Sequence, residues 1–277
     1  MNNIILNKKQ SDFLKLVGII TMAIDHIGLM FFPEIQLLHI IGRLAFPIFA
    51  YQISLGYIFT SNIKKYIKRL FTLAIISQIP FAFLYNDLKF RPLELNIIFT
   101  LLLGVAVIVL YEKIILLSQK NSPKNLILSC SFLGLLILLP EIISFATNSV
   151  IDFSYGTYGV LMIFLFYLFS HNFQKLIIAY LVLSFCNPIP LIIKSAYWLN
   201  LYAEANLWRF IAITWQTIRN NYFFNGFFIQ FFSLGILPLL YGIKKIKALN
   251  FQINRSLFYY FYPLHIALLI LIKLCLR

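Results

Sequence analysis

Charge is what this chain has least of. Only 12% of its 277 residues are Asp, Glu, Lys or Arg, about half the fraction of an ordinary soluble domain. With 61% apolar residues there is too little polar surface to cover a fold in water, and a water-soluble globule is excluded. Acidic residues are the scarcer kind, nine against 23 basic, for a net charge of +14. Cysteine is scarce too. Cys130, Cys186 and Cys275 stand at unrelated spacings without a CxxC, which excludes a disulfide framework and leaves them as small apolar filler. No two histidines have ligand spacing, so no zinc or other metal is expected. Repeats, low-complexity tracts and linkers are absent, and residues 1–277 read as a single domain.

What is present is a series of long apolar runs. They lie near 13–32, 37–60, 68–85, 95–117, 126–147, 157–170, 176–193, 222–243 and 257–276. Most are near the twenty residues that span a bilayer as a helix, so the fold class is all-α, a polytopic membrane bundle of about nine crossings, with eight to ten open. Lys8 and Lys9 precede the first run, but no small-x-small cleavage site follows, and the run is expected to stay as a helix. All three tryptophans fall in 194–221, which reads as an interfacial or re-entrant helix or as a further crossing. Lys and Arg cluster in alternate connections: fifteen (Lys8, Lys64, Lys65, Lys68, Arg69, Lys244 and others) against two acids on one side, seven against six on the other. That asymmetry predicts a cytoplasmic N-terminus. Short basic clusters between spans suit anionic lipid, so the lipid bilayer is the expected partner and nucleic acid is not.

Ionisable groups inside spans are costly and mark a site or an obligatory partner. Asp25 and His26 sit deep in the first run. Adjacent helical residues point about 100° apart, so the two cannot share one direction. Asp25 shares a face with Thr21 and Gly28, whose small side chains admit a neighbouring helix. Arg43, in Gly42-Arg43-Leu44-Ala45-Phe46-Pro47, is positioned to balance Asp25 or to bind an anion, near a carbonyl that Pro47 frees. Asn96 and Thr100 share a face that Gln78 approaches. Tyr155 opens an outer turn, Tyr155-Gly156-Thr157-Tyr158-Gly159. Tyr262 and His265 share a face of the last helix, His265 toward its inner half. His39 and His171 read as surface residues. Polar groups from at least four helices thus converge on one intramembrane cavity. A histidine beside a carboxylate suits proton transfer near neutral pH, which transporters and acyl transferases both use.

The same residues carry a resemblance. Asp25-His26, Gly42-Arg43-x-x-Phe46-Pro47, Asn96-x-x-Phe99, Tyr155-Gly156-x-x-Gly159 and Phe261-Tyr262-Pro263-Leu264-His265, in order from about residue 12 to 272, resemble the TraX family. These are membrane acetyltransferases typified by the enzyme that acetylates the N-terminus of conjugative pilin. The resemblance implies an active site lined by Asp25, His26, Arg43, Asn96 and His265. It implies acetyl-CoA as donor substrate and an acceptor that is a protein N-terminus or a surface glycan or lipid. The expected enzyme moves acetyl to an amine or hydroxyl at the outer face, with His26 as base or acyl carrier and Arg43 or Asn96 stabilising the oxyanion. A proton-coupled transporter or lipid flippase with Asp25 and His26 as relay is the alternative. A structural subunit is a third.

Overall fold

A computed structural model describes residues 3–85, 87–118, 123–187, 208, 211–212, 215, 229–246 and 250–276. The fold is helical almost throughout. In chain order the helices are α1 (Lys8–Phe31), α2 (Gln36–Gly42), α3 (Ala45–Phe59), α4 (Ile63–Phe81), α5 (Ile97–Ser118) and α6 (Pro123–Ala146). They continue as α7 (Gly156–Leu168), α8 (Phe173–Cys186), α9 (Ile236–Lys245) and α10 (Arg255–Cys275). Asparagine side chains start three of them: Asn7, Asn62 and Asn172 each accept a backbone N–H from the first turn of α1, α4 or α8. A two-residue parallel pair, β1 (Glu94–Leu95) with β2 (Asp152–Phe153), ties together the connections that lead into α5 and α7.

Among the described residues, five stretches are long and apolar enough to cross a membrane: α1, Gln36–Phe59 (α2 with α3), α5, Leu126–Ala146 and Leu257–Cys275. The protein is a multi-helix membrane protein. Nine crossings are expected from the sequence, and the other four runs do not reach that standard alone. Helix α4 has 19 residues but carries Lys64, Lys65, Lys68 and Arg69 in its first two turns. Helices α7 and α8 have 13 and 14 residues. The eighth run is described only from residue 229. Most of 194–221 lies outside the described residues, although Trp208 and Trp215 are helical and exposed.

α1 is the hub. It packs on α2, α3, α9 and α10, while α5 packs on α4, α6 and α7, and α3 joins the two groups through α7. Gly18 lets α3 in so closely that an added Cβ would stand 2.8 Å from Ile48 Cγ2. Phe46, Ile48, Tyr51, Met162, Ile163 and Phe166 fill the seam, each at most 1% exposed. The second run is not one helix. It breaks at Arg43–Leu44, four residues before Pro47, whose ring clashes with the Arg43 carbonyl and has no N–H to offer it.

Candidate active site

Asp25 and His26 follow one another on α1 and face different helices, as the helical pitch requires. His26 meets α10. Its Nδ1 lies 2.7 Å from His265 Nε2, and His265 Nδ1 lies 2.7 Å from the carbonyl oxygen of Phe261. The two imidazoles are parallel to 2° with centroids 4.9 Å apart. Taken with the 2.7 Å between nitrogens, that separation sets them edge to edge in a common plane, where an in-plane lone pair can accept. A carbonyl only accepts, so His265 Nδ1 carries a hydrogen. In the neutral pair His265 Nε2 is then the acceptor and His26 Nδ1 the donor. The remaining nitrogen, His26 Nε2, holds a lone pair. A backbone carbonyl on α10 thereby decides which atom of a histidine on α1 is basic. His265 is level with His26, not in the inner half of its helix as expected: α10 leans on α1 along its length, and Lys273 farther along donates to the Met30 carbonyl at 2.9 Å.

Asp25 meets α2. Its Oδ1 accepts from His39 Nδ1 at 3.1 Å and stands 3.9 Å from Arg43 Nη2. His39 is therefore not a surface residue but the carboxylate's nearer partner. His39 and Arg43 are four apart and share a face of α2, a spacing that could have revealed the pair. Two glycines make the approach possible. A Cβ on Gly42 would overlap the Asp25 side chain, and one on Gly28 would stand 2.8 Å from Leu38 Cβ. Arg43 is lightly used, with an Nε contact of 3.4 Å to the His39 carbonyl besides the long ion pair. Tyr155 interacts with it electrostatically and stacks on Phe46, centroids 4.0 Å apart. Tyr155 also holds a left-handed backbone, φ 65°, strain that a tyrosine bears only where its surroundings enforce it.

Asn96 and Gln78 do come together, but they hold the chain. Asn96 Nδ2 donates to the Ala74 carbonyl at 2.8 Å and to Gln78 Oε1 at 2.9 Å, and its Oδ1 caps Ile98 N at 3.0 Å. Gln78 Nε2 donates to the Pro92 and Glu94 carbonyls. With its amide spent, Asn96 has no donor left for an oxyanion, and the expectation that it supplies one is corrected. Thr100 donates to the Ser154 carbonyl at 2.6 Å, fixing the turn before Tyr155. Tyr262 lies 6.4 Å from the His26 ring, centroid to centroid. Among the described residues no three His, Cys, Asp or Glu gather as metal ligands.

A cavity of about 800 Å³ has Tyr262 in its wall but not Asp25, His26, Arg43, Asn96 or His265, so the polar groups do not converge on it as expected; its volume is at the upper end of the size that holds small molecules. Lys8, Lys65 and Arg69 lie at one end of it, and Met22, Phe261 and Tyr262 at the other.

This architecture defines a class: a helical membrane protein with a histidine pair and a carboxylate–histidine–arginine group on neighbouring faces of one helix. The family model for TraX protein matches residues 10–273, and the chain belongs to the TraX family. It is similar to an uncharacterized protein of Rickettsia prowazekii (strain Madrid E), 37% identical over 94 residues, 34% of each chain. It is also similar to a probable fimbrial assembly protein FimC, serogroup H1, of Dichelobacter nodosus, 29% identical over 103 residues, 33% of this chain and 42% of that one. The chain thus spans about a third to two fifths of the length of these relatives. No solved structure matches.

Proposed function

We propose that the protein is a membrane acetyltransferase that moves an acetyl group from acetyl-CoA to an amine or hydroxyl of an acceptor at the outer face of the bacterial inner membrane. The observation that carries this is the orientation of the histidine pair, which leaves an unprotonated Nε2 on His26 inside a helical bundle. Neutral imidazole is the side chain matched to removing a proton near pH 7. As the acceptor attacks the thioester carbonyl, His26 Nε2 takes its proton and the positive charge spreads through Nδ1 to His265, which the Phe261 carbonyl steadies. The new C–N or C–O bond forms, the C–S bond breaks, and the proton leaves on the coenzyme A sulfur, so that thioester and acceptor become acetylated acceptor and free thiol. Arg43, with donors to spare, is the group suited to the oxyanion. Asp25 holds it, and holds His39, rather than orienting His26. The likeness to a fimbrial assembly protein favours a protein N-terminus among possible acceptors.

A proton-coupled transporter or flippase is the second reading, favoured by two titratable clusters, Asp25–His39 and His26–His265, on successive residues of one helix. Radiolabelled acetyl-CoA, supplied to purified protein with membrane extract, separates the two. Acetyl should appear on the acceptor, and His26→Ala should cut the rate about 100-fold or more while the protein stays folded. Wild-type turnover in His26→Ala would remove that residue from the chemistry. A wild-type protein that transfers nothing but moves protons leaves the transporter.

A further inference from the structure

The 800 Å³ cavity is lined by cations at one end and by apolar side chains farther in. Its ends differ in a way that bears on what fills it. At the mouth, where α1 and α4 begin, stand Lys8, Lys65 and Arg69, all exposed and none in an ion pair among the described residues. Lys15 lies there too, but Asp12 neutralises it at 2.9 Å, so three charges are uncommitted. Deeper in, the walls are Ile19, Phe49, Ile53, Leu70 and Leu73. Along α4, Tyr66, Leu70, Leu73 and Ser77 follow the spacing of a single helical face. Ser77, one turn past Leu73, is 0% exposed, and its hydroxyl has no hydrogen-bond partner. Hydroxyls of helical serines ordinarily bond the carbonyl four residues back, as Ser54 and Ser184 do here. Ser77 itself is not in the cavity wall, which on this face of α4 ends at Leu73.

We infer that this cavity holds the acyl donor, a nucleotide-headed thioester of the coenzyme A class, phosphates outward on Lys8, Lys65 and Arg69 and the arm inward toward His26. The assignment rests on the acetyl-transfer reading and adds to it the donor's place, direction and contacts. Length agrees. From Lys8 to Met22 is fourteen residues of α1, about 21 Å of rise. A pantetheine arm has about as many chain atoms as four peptide residues and reaches roughly 14 Å extended, leaving the rest to the diphosphate and the cationic side chains. Met22 is one turn before His26 on the same face of α1, so an arm reaching that far ends about 6 Å of rise short of the histidine pair, and the acyl group points across the remaining turn.

Binding of coenzyme A and of pantetheine to purified full-length protein in nanodiscs of neutral lipid tests this. Lys65→Gln with Arg69→Gln should weaken coenzyme A about tenfold, a modest loss because the charges are exposed, and leave pantetheine unchanged. Leu73→Trp should block both. Unchanged affinity in both variants overturns the cavity assignment while acetyl transfer, if still measured, stands. A wild-type protein that neither binds coenzyme A nor transfers acetyl overturns both. An anionic lipid that co-purifies in the cavity and is not displaced by coenzyme A assigns the basic mouth to lipid and overturns the inference as well.

Discussion

At the scale of single side chains, the site depends on donors assigned by acceptors that cannot change role. The Phe261 carbonyl accepts, His265 is thereby polarised, and His26 presents a lone pair. If His265 does this work, His265→Ala should lower the transfer rate about 100-fold with little change in coenzyme A affinity. His265→Gln should recover a good part, since a glutamine oxygen can accept from His26 Nδ1 while its nitrogen donates to Phe261. A glutamine variant no better than alanine means that His265 must itself carry the proton. Full activity in the alanine variant means that the pair is not a relay. The Asp25–Arg43 contact calls for a different magnitude. Breaking a fully buried ion pair costs about 3–5 kcal/mol, but here the side chains are 20% and 27% open, the gap is 3.9 Å, and His39 takes the shorter bond. A coupling of about 1 kcal/mol is expected from the cycle of Arg43→Ala, Asp25→Asn and the double variant, read from melting in detergent. Strict additivity would mean that Asp25 answers to His39 alone.

At the scale of elements, the break between α2 and α3 sets Arg43 where it is. Pro47 removes the hydrogen bond that would close the helix over the Arg43 carbonyl. Pro47→Ala should let α2 and α3 join, leave stability unchanged or raised, and lower transfer by turning the guanidinium. A variant as active as wild type would make the break incidental. Gly42→Ala acts on the other side of the contact. Its methyl would displace Asp25, so a loss of about 1–3 kcal/mol of stability is expected. The long helices were legible because composition and run length suffice to place them. The 100° offset between Asp25 and His26 was legible from helical pitch, and it held: one faces α2, the other α10. What was not legible depends on contacts between helices. The spacing of four between His39 and Arg43 shows in the sequence that the two share a face, but not that Asp25 is their common partner, because the carboxylate arrives from α1 after a turn. The face shared by Asn96 and Thr100 shows in the sequence, but not that the Asn96 amide is consumed by Ala74 and Gln78. The level of His265 against His26 depends on how α10 leans on α1.

At the scale of the whole molecule, the described residues gather unbalanced basic side chains at one end. The residues that make it so come from distant parts of the chain. Lys9 donates to Asn250 at 3.0 Å, Lys244 to the Ile5 carbonyl, and Gln10 to the Ile243 and Ile246 carbonyls at 3.1 Å. The cavity mouth adds Lys65 and Arg69 from the start of α4 and Ile253 from just before α10. The loop that carries Lys89 and Arg91, by contrast, sits after α4 and is offset by Asp87 and Glu94. Positive charge is retained on the cytoplasmic side during insertion, and acids count little. The end with Lys8, Lys65 and Lys244 should therefore face the cytoplasm, where coenzyme A is. Single cysteines at Asn250 and Lys89 decide it, after Cys130, Cys186 and Cys275, all exposed, have been replaced. In spheroplasts an impermeant maleimide should label position 89 at once and position 250 only after lysis. Labelling of 250 from outside would invert the protein. The basic mouth would then open away from the cytoplasmic donor, and a donor entering between α1 and α4 would be excluded along with the topology.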